Sequence, residues 1–575
     1  MLKHFKDCIG KYKKYAIIAP IAMVLEVMME VFIPYMMTYV EEGINRGDTG
    51  YLLTMGAIMV GMALFSLIFG IISGASAAKA SAGFATNLRQ KLFAKIQEFS
   101  FKNTDKYSTA SLITRLTTDV NNAQLAFMMV IRMLVRAPVM LILATVLAFS
   151  INAQLALVFA VAIPVLAFAL IIIIARAFPR FKALLKTFDD LNAVAQEDLI
   201  GIRAVKAFVR EDYEIDKFSK ISEKARDAHV KAERILIWNM PVMQLIMFAC
   251  VISIAGFGGI MTLGGSLSIL QLSSYISYST QILMSLMMAS MVLVTLVLSR
   301  ASLVRIVEVL DEKIDIRDDD ADETLTVESG CVDFENVYFG YSKDVDNKVL
   351  SKINLHISSG ETIGVLGGTG SAKTTLVQLI PRLYDVSSGE LKVGGRNVKE
   401  YKIKHLRDAV SMVLQKNVLF SGTIKENLKW GDENATDDEI ITAAKAAAAH
   451  DFIMSFSDGY ETELGQGGVN VSGGQKQRLC IARALLKKPK ILILDDSTSA
   501  VDTATDRAIR DSLKAIEGIT VIIIAQRIAS VSSADRVIIM DEGKIDAFDT
   551  PANLIKGNKI YQEVFASQMK GAANG

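Results

Sequence analysis

The residues whose spacing most clearly implies chemistry lie between positions 360 and 375. An apolar, β-branched run at 363–366 is followed by small residues, and a helical pattern begins at Lys373. In such a strand–loop–helix unit several backbone N–H groups point at one anion, the lysine reaches the outer phosphates and a hydroxyl holds magnesium. The sequence therefore predicts a phosphate-binding loop, although Ala372 stands where a second glycine is usual. Its members are Gly367, Gly368, Thr369, Gly370, Ser371, Ala372, Lys373, Thr374 and Thr375.

A pair of carboxylates follows a second apolar run, at 491–494. This run predicts a buried strand, and its end delivers Asp495 and Asp496. One such acid suits Mg²⁺ beside a phosphate loop, and the next suits the orientation of a water molecule. The pattern is common in α/β proteins, but its position about 120 residues after a phosphate loop makes it specific.

The third pattern occupies residues 471–478, with the sequence Val-Ser-Gly-Gly-Gln-Lys-Gln-Arg. Small residues before a helix again present backbone N–H groups to an anion. The residues concerned are Ser472, Gly473, Gly474 and Gln475. The octet closely resembles the signature motif of ATP-binding cassette (ABC) proteins, usually Leu-Ser-Gly-Gly-Gln.

Composition excludes several other classes of protein. The net charge of the 575-residue chain is +1, which lacks the basic footprint of a nucleic-acid partner. Its four cysteines lie far apart, so neither a zinc site nor a disulfide framework is indicated. Hydrophobic residues make up 51% of the chain and are concentrated in its first half, which favours a membrane domain.

Six stretches are long and apolar enough to cross a lipid bilayer, at about 16–39, 52–78, 126–151, 155–177, 235–263 and 270–298. Lysine and arginine are concentrated at the N-terminus and in the long connections, 79–125 and 176–234, which predicts that these and both termini are cytoplasmic. The helical character of the connections predicts that the spans extend beyond the membrane. Turns at 101–107 and 210–213 are each expected to present a short helix to a soluble partner.

The fold expected is a multidomain membrane protein with a six-helix α transmembrane domain followed by an α/β P-loop ATP-binding cassette domain. The transmembrane domain is predicted over 1–312, with two cytoplasmic coupling loops. An acidic linker is predicted over 313–329. The nucleotide-binding domain is predicted over 330–575, where strand and helix patterns alternate.

Ionisable residues inside the spans suggest function, because charge in a membrane is costly. Glu26 and Glu30 lie four apart on the first span, and Arg132 and Arg136 four apart on the third. The glutamates are candidates for a cavity that favours cationic substrates. The alternative is that these ionisable residues pair with one another or lie near the interface. A structural role is favoured for the arginines. The methionines at 284–291 suit an adaptable pocket, but core packing is favoured.

The whole chain resembles a half-transporter of the ABC exporter class, in particular the degenerate-site subunit of heterodimeric bacterial multidrug-type exporters. In that family two such chains dimerise and two ATP molecules lie between the nucleotide-binding domains. Each ATP is held by the phosphate loop of one chain and the signature of the other.

The resemblance also implies roles for individual positions. Tyr341 matches the aromatic residue that stacks on adenine, and Gln415 the glutamine that senses Mg²⁺ and contacts the membrane domain. Thr374, Gln415 and Asp495 match the residues around Mg²⁺. Residues 499–502 match a loop that communicates across the dimer. Gly-Gln-Gly at 465–467 replaces the usual Gly-Glu-Arg. The two turns match coupling helices, the second of which reaches the partner's nucleotide-binding domain.

Two catalytic positions depart from the family. Asp496 replaces a glutamate and is shorter by about 1.5 Å, and a misplacement of about 1 Å can lower a rate on the order of a hundredfold. Gln526 replaces the switch histidine, and glutamine neither carries charge nor shuttles a proton. This site is therefore expected to bind ATP but hydrolyse it poorly. The nearly intact signature then favours a heterodimer, the alternative being a homodimer with two weak sites.

The function expected is ATP-driven export of small amphipathic, drug-like molecules across the plasma membrane, with ATP and Mg²⁺ as cofactors. The predicted partner is a second ABC half-transporter. Two alternatives remain open, a lipid or peptide exporter and a regulatory subunit in which nucleotide gates a membrane pore.

Overall fold

The computed structural model describes residues 2–319, 321–341, 348–496 and 501–573. The chain forms two compact units. The first comprises Met1–Glu98 and Ser108–Glu312, and the second Phe99–Tyr107 and Lys313–Gly575. The segment Phe99–Tyr107 therefore belongs to the second unit, although the helices on either side of it belong to the first.

The first part of the chain is helical throughout. A π-helical turn, Arg115–Asp119, joins two of the helices. The helices are α1 (Leu2–Ile9), α2 (Lys13–Arg46), α3 (Thr49–Gln97), α4 (Phe101–Lys106), α5 (Thr109–Thr114), α6 (Val120–Ile151), α7 (Ala153–Ile200), α8 (Ile202–Ala207), α9 (Glu211–Leu236), α10 (Asn239–Leu263) and α11 (Ile269–Asp311).

Six helical stretches of 43 to 53 residues are long and apolar enough to cross a membrane, which confirms the predicted number of spans. At 1.5 Å per residue they exceed the roughly 30 Å of a bilayer core, so the predicted extensions are confirmed as well. Side-chain caps fix where the helices after the short turns begin. Asp48 accepts from Tyr51 N at 3.0 Å, and Asn152 accepts from Gln154 N at 3.0 Å.

Hydroxyl groups on α11 bind backbone carbonyls where proline disturbs α2. Pro34 removes one helical N–H donor. Ser274 Oγ donates to Pro34 O at 2.6 Å, and Tyr278 Oη donates to Val31 O at 3.0 Å. Both side chains are fully buried, so these bonds satisfy groups that water does not reach.

The two predicted coupling turns differ in outcome. The short helix predicted at the first turn is confirmed as α4, where Ser100 and Asn103 form a capping box. For the second, the expected position is wrong, because the short helix α8 lies before residues 210–213 and α9 begins at Glu211. Val209, with φ of 52°, makes the turn between them.

The second unit is an α/β fold. Its strands are β1 (Val332–Phe339), β2 (Leu350–Ile357), β3 (Thr362–Gly367), β4 (Ser388–Val393), β5 (Arg396–Asn397), β6 (Val410–Val413), β7 (Gly422–Thr423), β8 (Glu463–Leu464), β9 (Ile491–Asp495), β10 (Thr520–Ile524), β11 (Arg536–Asp541) and β12 (Lys544–Asp549). Its helices are α12 (Lys373–Gln378), α13 (Ile403–Ala409), α14 (Ile424–Lys429), α15 (Asp437–Ala446), α16 (His450–Met454), α17 (Gly473–Leu486), α18 (Thr503–Lys514), α19 (Ile528–Val531), α20 (Pro551–Gly557) and α21 (Lys559–Ala573).

A six-stranded sheet in the order β12-β11-β3-β10-β9-β6 forms the core of this unit, beside a four-stranded sheet in the order β2-β1-β4-β5. Strands β3, β6, β9, β10 and β11 run parallel, and β12 is antiparallel to β11. Every residue of β9 and β10 is buried, as uninterrupted apolar runs in a parallel sheet require.

The register of this sheet positions the candidate site. Ile524 of β10 lies opposite both Val365 of β3 and Asp495 of β9. The carboxyl ends of these strands therefore meet at one edge, which is where open α/β sheets bind ligands.

The predicted linker is held against the second unit by hydrogen bonds. Ser100 Oγ donates to Asp315 Oδ1 at 2.5 Å, and Arg382 donates to the carbonyl oxygen of Arg317 at 3.1 Å.

Candidate nucleotide-binding site

The predicted phosphate loop connects β3 to α12 as expected. Ala372 adopts a left-handed φ of 70° just before Lys373 begins the helix. A Cβ added at Gly367 would lie 2.3 Å from Met540 O, so this glycine is required by packing. A Cβ added at Gly368 or Gly370 would meet nothing within 4 Å, so this side of the loop is open. The loop therefore offers an open cradle beside its backbone.

Lys373 lies within this loop. Its Nζ donates to Gly367 O at 2.9 Å and to Gly368 O at 2.8 Å. Burial lowers the pKa of Lys373, and the nearby carboxylates of Asp495 and Asp496 oppose that shift.

Asp495 meets the start of the same helix. Thr374 Oγ1 donates to Asp495 Oδ1 at 2.9 Å. Asp495 is 2% exposed, and burial raises its pKa while the Thr374 hydrogen bond opposes that rise. Among the described residues no group of three or more His, Cys, Asp and Glu side chains forms a closed metal site. Mg²⁺ is commonly held by one or two carboxylates together with substrate phosphates, so this donor set fits a magnesium–nucleotide complex.

Asp496 and Gln526, the two positions predicted to be altered catalytic residues, contact each other. Gln526 Nε2 donates to Asp496 Oδ2 at 3.0 Å. Asp496 has a positive φ of 47°, a conformation that costs a non-glycine residue about 1–2 kcal/mol. Such backbone strain is concentrated at functional sites. Burial raises the pKa of Asp496, and the Gln526 hydrogen bond opposes that rise.

The structure places Tyr341 and Gln415 at the same edge. The Tyr341 hydroxyl lies 2.9 Å from Thr375 Oγ1, within hydrogen-bond distance. Gln415 follows β6, where Val413 lies opposite Leu494, so the register continues Gln415 toward Asp496. Gln415 is exposed.

The signature residues lie at the N-terminus of another helix, α17. Ser472 N donates to Gln475 Oε1 at 2.8 Å, and Gln475 N donates to Ser472 Oγ at 3.3 Å. Gly473 opens the helix and is exposed. In the described chain none of the hydrogen bonds of Ser472–Gln475 reaches the phosphate loop. The structure thus brings the phosphate loop, Tyr341, Gln415, Asp495, Asp496 and Gln526 together and leaves the signature apart.

Two further predicted loops are described in part. Ser499 and Ala500 lie outside the described residues, whereas Asp502 caps α18 by accepting from Thr505 N at 2.9 Å. The Gly-Gln-Gly segment enters a 3₁₀ turn, Gln466–Gly468, in which Gly467 has φ of 69°.

In the transmembrane unit, Glu26 and Glu30 are bound to one arginine. Arg136 Nη1 lies 2.5 Å from Glu26 Oε1, and Arg136 Nη2 lies 2.5 Å from Glu30 Oε2. The Glu26 carboxylate packs closely against α3 at Gly70, where an added Cβ would lie 3.3 Å from it. The glutamates thus pair with an arginine of the third span, which confirms the predicted alternative that the ionisable residues pair with one another.

A separate cavity of about 490 Å³ lies between α7, α10 and α11. Met284, Met287, Met288 and Met291 line it, so the expectation that these methionines pack in the core is wrong. Three helices leave a gap here that flexible side chains border without filling. Neither Glu26 nor Glu30 is among the lining residues.

Sequence reasoning missed Asp105 and Tyr384, whose side chains are hydrogen-bonded in the second unit. No spacing or composition signal identifies this pair, because its partners are 279 residues apart.

A bundle of membrane-length helices joined to an α/β unit with a phosphate-loop site defines an ATP-driven membrane transporter. Residues 16–286 match the ABC transporter transmembrane region, and residues 350–499 match the ABC transporter family. The chain belongs to the ABC transporters, with the transmembrane and ATP-binding parts in one polypeptide.

Two relatives match over nearly their whole length. An uncharacterised ABC transporter ATP-binding protein of Bacillus subtilis, YfiB, is 36% identical over 97% of both chains. A candidate multidrug export ATP-binding/permease protein of the same species, YgaD, is 30% identical over 99% of both chains. A bacterial Atm1-family ABC exporter with ATP bound has a TM-score of 0.84 at 24% identity, covering 96% of this chain and 98% of that chain. The predicted fold, that of an ABC exporter, is confirmed.

Proposed function

We propose that this chain is one half of a heterodimeric exporter that uses ATP to move small amphipathic, drug-like molecules across the plasma membrane. Its own phosphate loop binds Mg²⁺ and ATP and hydrolyses the nucleotide slowly. A second half-transporter supplies the fully active site. Basic residues at the N-terminus and in the long connections support an orientation with both termini in the cytoplasm.

The contact between Gln526 and Asp496 is the observation that best supports slow hydrolysis at this site. The shorter carboxylate is held by an uncharged amide at 3.0 Å. A general base contributes typically 10²- to 10⁴-fold to a rate, so loss of reach at this position is a large loss. Bound Mg²⁺ would supply charge neutralisation on the phosphates, and Thr374 and Asp495 are the residues that would hold it.

The exposed signature supports pairing with another chain. The N–H groups of Ser472 and Gln475 are already bonded in the capping box, so those of Gly473 and Gly474 are the ones at the start of α17 that suit an anion, and the helix dipole favours negative charge there. We propose that Ser472, Gly473, Gly474 and Gln475 complete the partner's ATP site, while the partner's signature completes this one.

An apolar turn supports mechanical coupling to that partner. Phe208 is 78% and Val209 80% exposed at the end of α8. The second unit has a cavity of about 330 Å³ bordered by Leu414, Val418 and Trp430. We propose that the turn enters the equivalent cavity of the partner chain, so that closure of the nucleotide-binding domains moves the transmembrane helices.

The substrate class is supported by the relative YgaD, whose name refers to multidrug export. A lipid or peptide exporter and a nucleotide-gated pore remain the competing functions, and the experiment that follows separates them. Uphill movement of a substrate distinguishes a pump from a pore, because a pore only dissipates a gradient.

The test is to purify this chain alone and with a candidate partner that carries Glu and His at the positions of Asp496 and Gln526. ATP hydrolysis and uphill transport of a small amphipathic dye and of a labelled phospholipid are measured in proteoliposomes. In the heterodimer, Asp496→Asn is expected to leave most turnover intact. Replacement of the partner's catalytic glutamate by Gln is expected to abolish both hydrolysis and dye transport.

A gain-of-function variant provides the complementary arm. Asp496→Glu with Gln526→His is expected to raise hydrolysis by the chain alone on the order of tenfold or more, by restoring reach and charge. If the unaltered chain alone hydrolyses ATP rapidly and Asp496→Asn stops it, the proposal that this site hydrolyses ATP slowly is wrong. If the phospholipid is transported but the dye is not, the proposal that the substrates are small amphipathic, drug-like molecules is wrong.

A further inference from the structure

The cavity between α7, α10 and α11 has the size of a small-molecule site. Its volume of about 490 Å³ falls in the usual range for ligand pockets, about 300–1,000 Å³. Each of its three helices belongs to one of the membrane-length stretches. A molecule bound here would therefore be held by residues of the transmembrane unit alone.

The walls are apolar, aromatic and rich in sulfur. Phe178 and Phe181 of α7 border the cavity with Met240 of α10 and the four methionines of α11. Methionine is flexible and polarisable, and its sulfur makes favourable contacts with aromatic rings. Such walls suit planar aromatic molecules of varied outline.

None of the described side chains that line the cavity is ionisable. Burial of an unpaired charge in such surroundings is strongly unfavourable. The residues expected to attract a cationic substrate were Glu26 and Glu30, but both are bound to Arg136 and neither lines this cavity. The cavity is therefore matched to an uncharged molecule.

One buried acceptor in the wall has no partner. Asn239 Oδ1, at the start of α10, is shielded from solvent and accepts no hydrogen bond. A buried acceptor left without a donor is costly, and a ligand that supplies the donor recovers that cost. This observation is independent of the shape of the cavity, and it points to a ligand with an O–H or N–H group.

We propose that this cavity binds the transported substrate and selects an uncharged aromatic molecule that donates a hydrogen bond to Asn239 Oδ1. The proposal rests on the export function proposed above and narrows its substrate class. The methionine walls accommodate the ring system, and Asn239 fixes its orientation.

The test measures binding without nucleotide, so that it does not depend on transport. The chain has two tryptophans, and Trp238 directly precedes Asn239. In a full-length Trp430→Phe background, quenching of Trp238 fluorescence is titrated in lipid nanodiscs with three matched probes. These are 1-naphthol, 1-methoxynaphthalene without the donor, and the cation 1-naphthylmethylammonium. Empty nanodiscs correct for partition into lipid.

Saturable quenching by 1-naphthol is expected, with each of the other two probes at least about tenfold weaker, the usual effect of one buried hydrogen bond or charge. Asn239→Leu is expected to remove the preference for 1-naphthol over 1-methoxynaphthalene. Ser253→Leu, at a half-buried position on α10 outside the cavity lining, is the matched control and keeps the preference.

Equal binding of the three probes, or quenching that rises without saturation, would show that lipid simply fills the gap, and the proposal would be wrong. A preference that Asn239→Leu leaves unchanged would also overturn it. If the heterodimer pumps a dye but no saturable site is seen, the export function stands without this site. If the site binds 1-naphthol selectively but no substrate is pumped, the binding site stands and the export function fails.

Discussion

The phenolic hydroxyl of Tyr384 donates a hydrogen bond to Asp105 Oδ2 at 2.6 Å. Asp105 lies on α4, and the Tyr384 ring also meets the ring of Tyr341 edge-on, with centroids 5.2 Å apart. Tyr341 in turn lies within hydrogen-bond distance of Thr375 in α12. A continuous series of contacts therefore joins α4, at the first of the two predicted coupling turns, to the phosphate loop.

Loss of the Tyr384 hydroxyl is expected to loosen α4. Burial, with the adjacent Asp105 carboxylate, raises the pKa of Tyr384, so the hydroxyl remains a donor throughout the physiological range. A hydrogen bond to a charged group contributes about 1.5–3 kcal/mol, so Tyr384→Phe should lower amide protection in α4 roughly 10- to 100-fold. Hydrogen–deuterium exchange with mass spectrometry measures this change.

The control for that experiment is Lys102→Met on the same helix. Lys102 Nζ lies 3.8 Å from Asp315 in a largely exposed pair, which contributes little. Protection in α4 should therefore change far less than in Tyr384→Phe. Equal loss in the two variants would contradict a specific role for the Tyr384–Asp105 bond.

Alanine substitutions at Gly367 and Gly368 are expected to have different effects, the first on the stability of the domain and the second on nucleotide binding. Gly367→Ala is expected to destabilise the nucleotide-binding domain by several kcal/mol, because its Cβ would overlap Met540 O at 2.3 Å. Gly368→Ala is expected to leave the melting temperature nearly unchanged, since its Cβ meets nothing within 4 Å. It should nevertheless weaken ATP binding, because the methyl group occupies the open side of the loop. Thermal unfolding and binding of a fluorescent ATP analogue measure the two effects, and parallel changes in both variants would contradict the prediction.

The intramembrane charges should be stable only as a set. Arg136→Met leaves Glu26 and Glu30 without their counter-charge and is expected to cost about 3–5 kcal/mol. The triple variant Arg136→Met, Glu26→Gln, Glu30→Gln should recover most of that loss, because neither carboxylate then remains without its counter-charge. Thermal unfolding in detergent provides the comparison. A triple variant as unstable as the single one would show that Arg136 acts through packing instead.

Asp495 should lower stability in the absence of ligand. Its raised pKa means that the folded chain holds this proton more tightly than the unfolded chain. Stability therefore falls as pH rises from the ordinary carboxyl pKa through the raised one. In nucleotide- and magnesium-free buffer, Asp495→Asn is expected to be more stable at neutral pH, by on the order of 1 kcal/mol.

That advantage should shrink as the pH is lowered and Asp495 becomes protonated. Magnesium-dependent ATP binding should be lost in the same variant. Melting curves between acid and neutral pH measure the stability, and a less stable Asn variant at neutral pH would contradict the expected cost of the buried carboxylate.

The sequence by itself determined the local elements. Glycine, lysine and threonine in a fixed order predicted the turn from β3 into α12, because each residue type there meets a local requirement. Uninterrupted apolar runs predicted β9 and the six spans, because burial and membrane thickness both act on contiguous residues. Asp495 and Asp496 were found at the end of the run that predicted β9, whereas Gln526 was identified through the resemblance to ABC proteins.

Only the tertiary structure decided which distant side chains meet. The pairing of Arg136 with Glu26 and Glu30 joins α6 to α2, and the bond between Tyr384 and Asp105 spans 279 residues. Helix packing also left the methionines of α11 at a cavity instead of a core. Periodicity reports which face of one helix is apolar, but the angles and gaps between helices are set by all the packed side chains together.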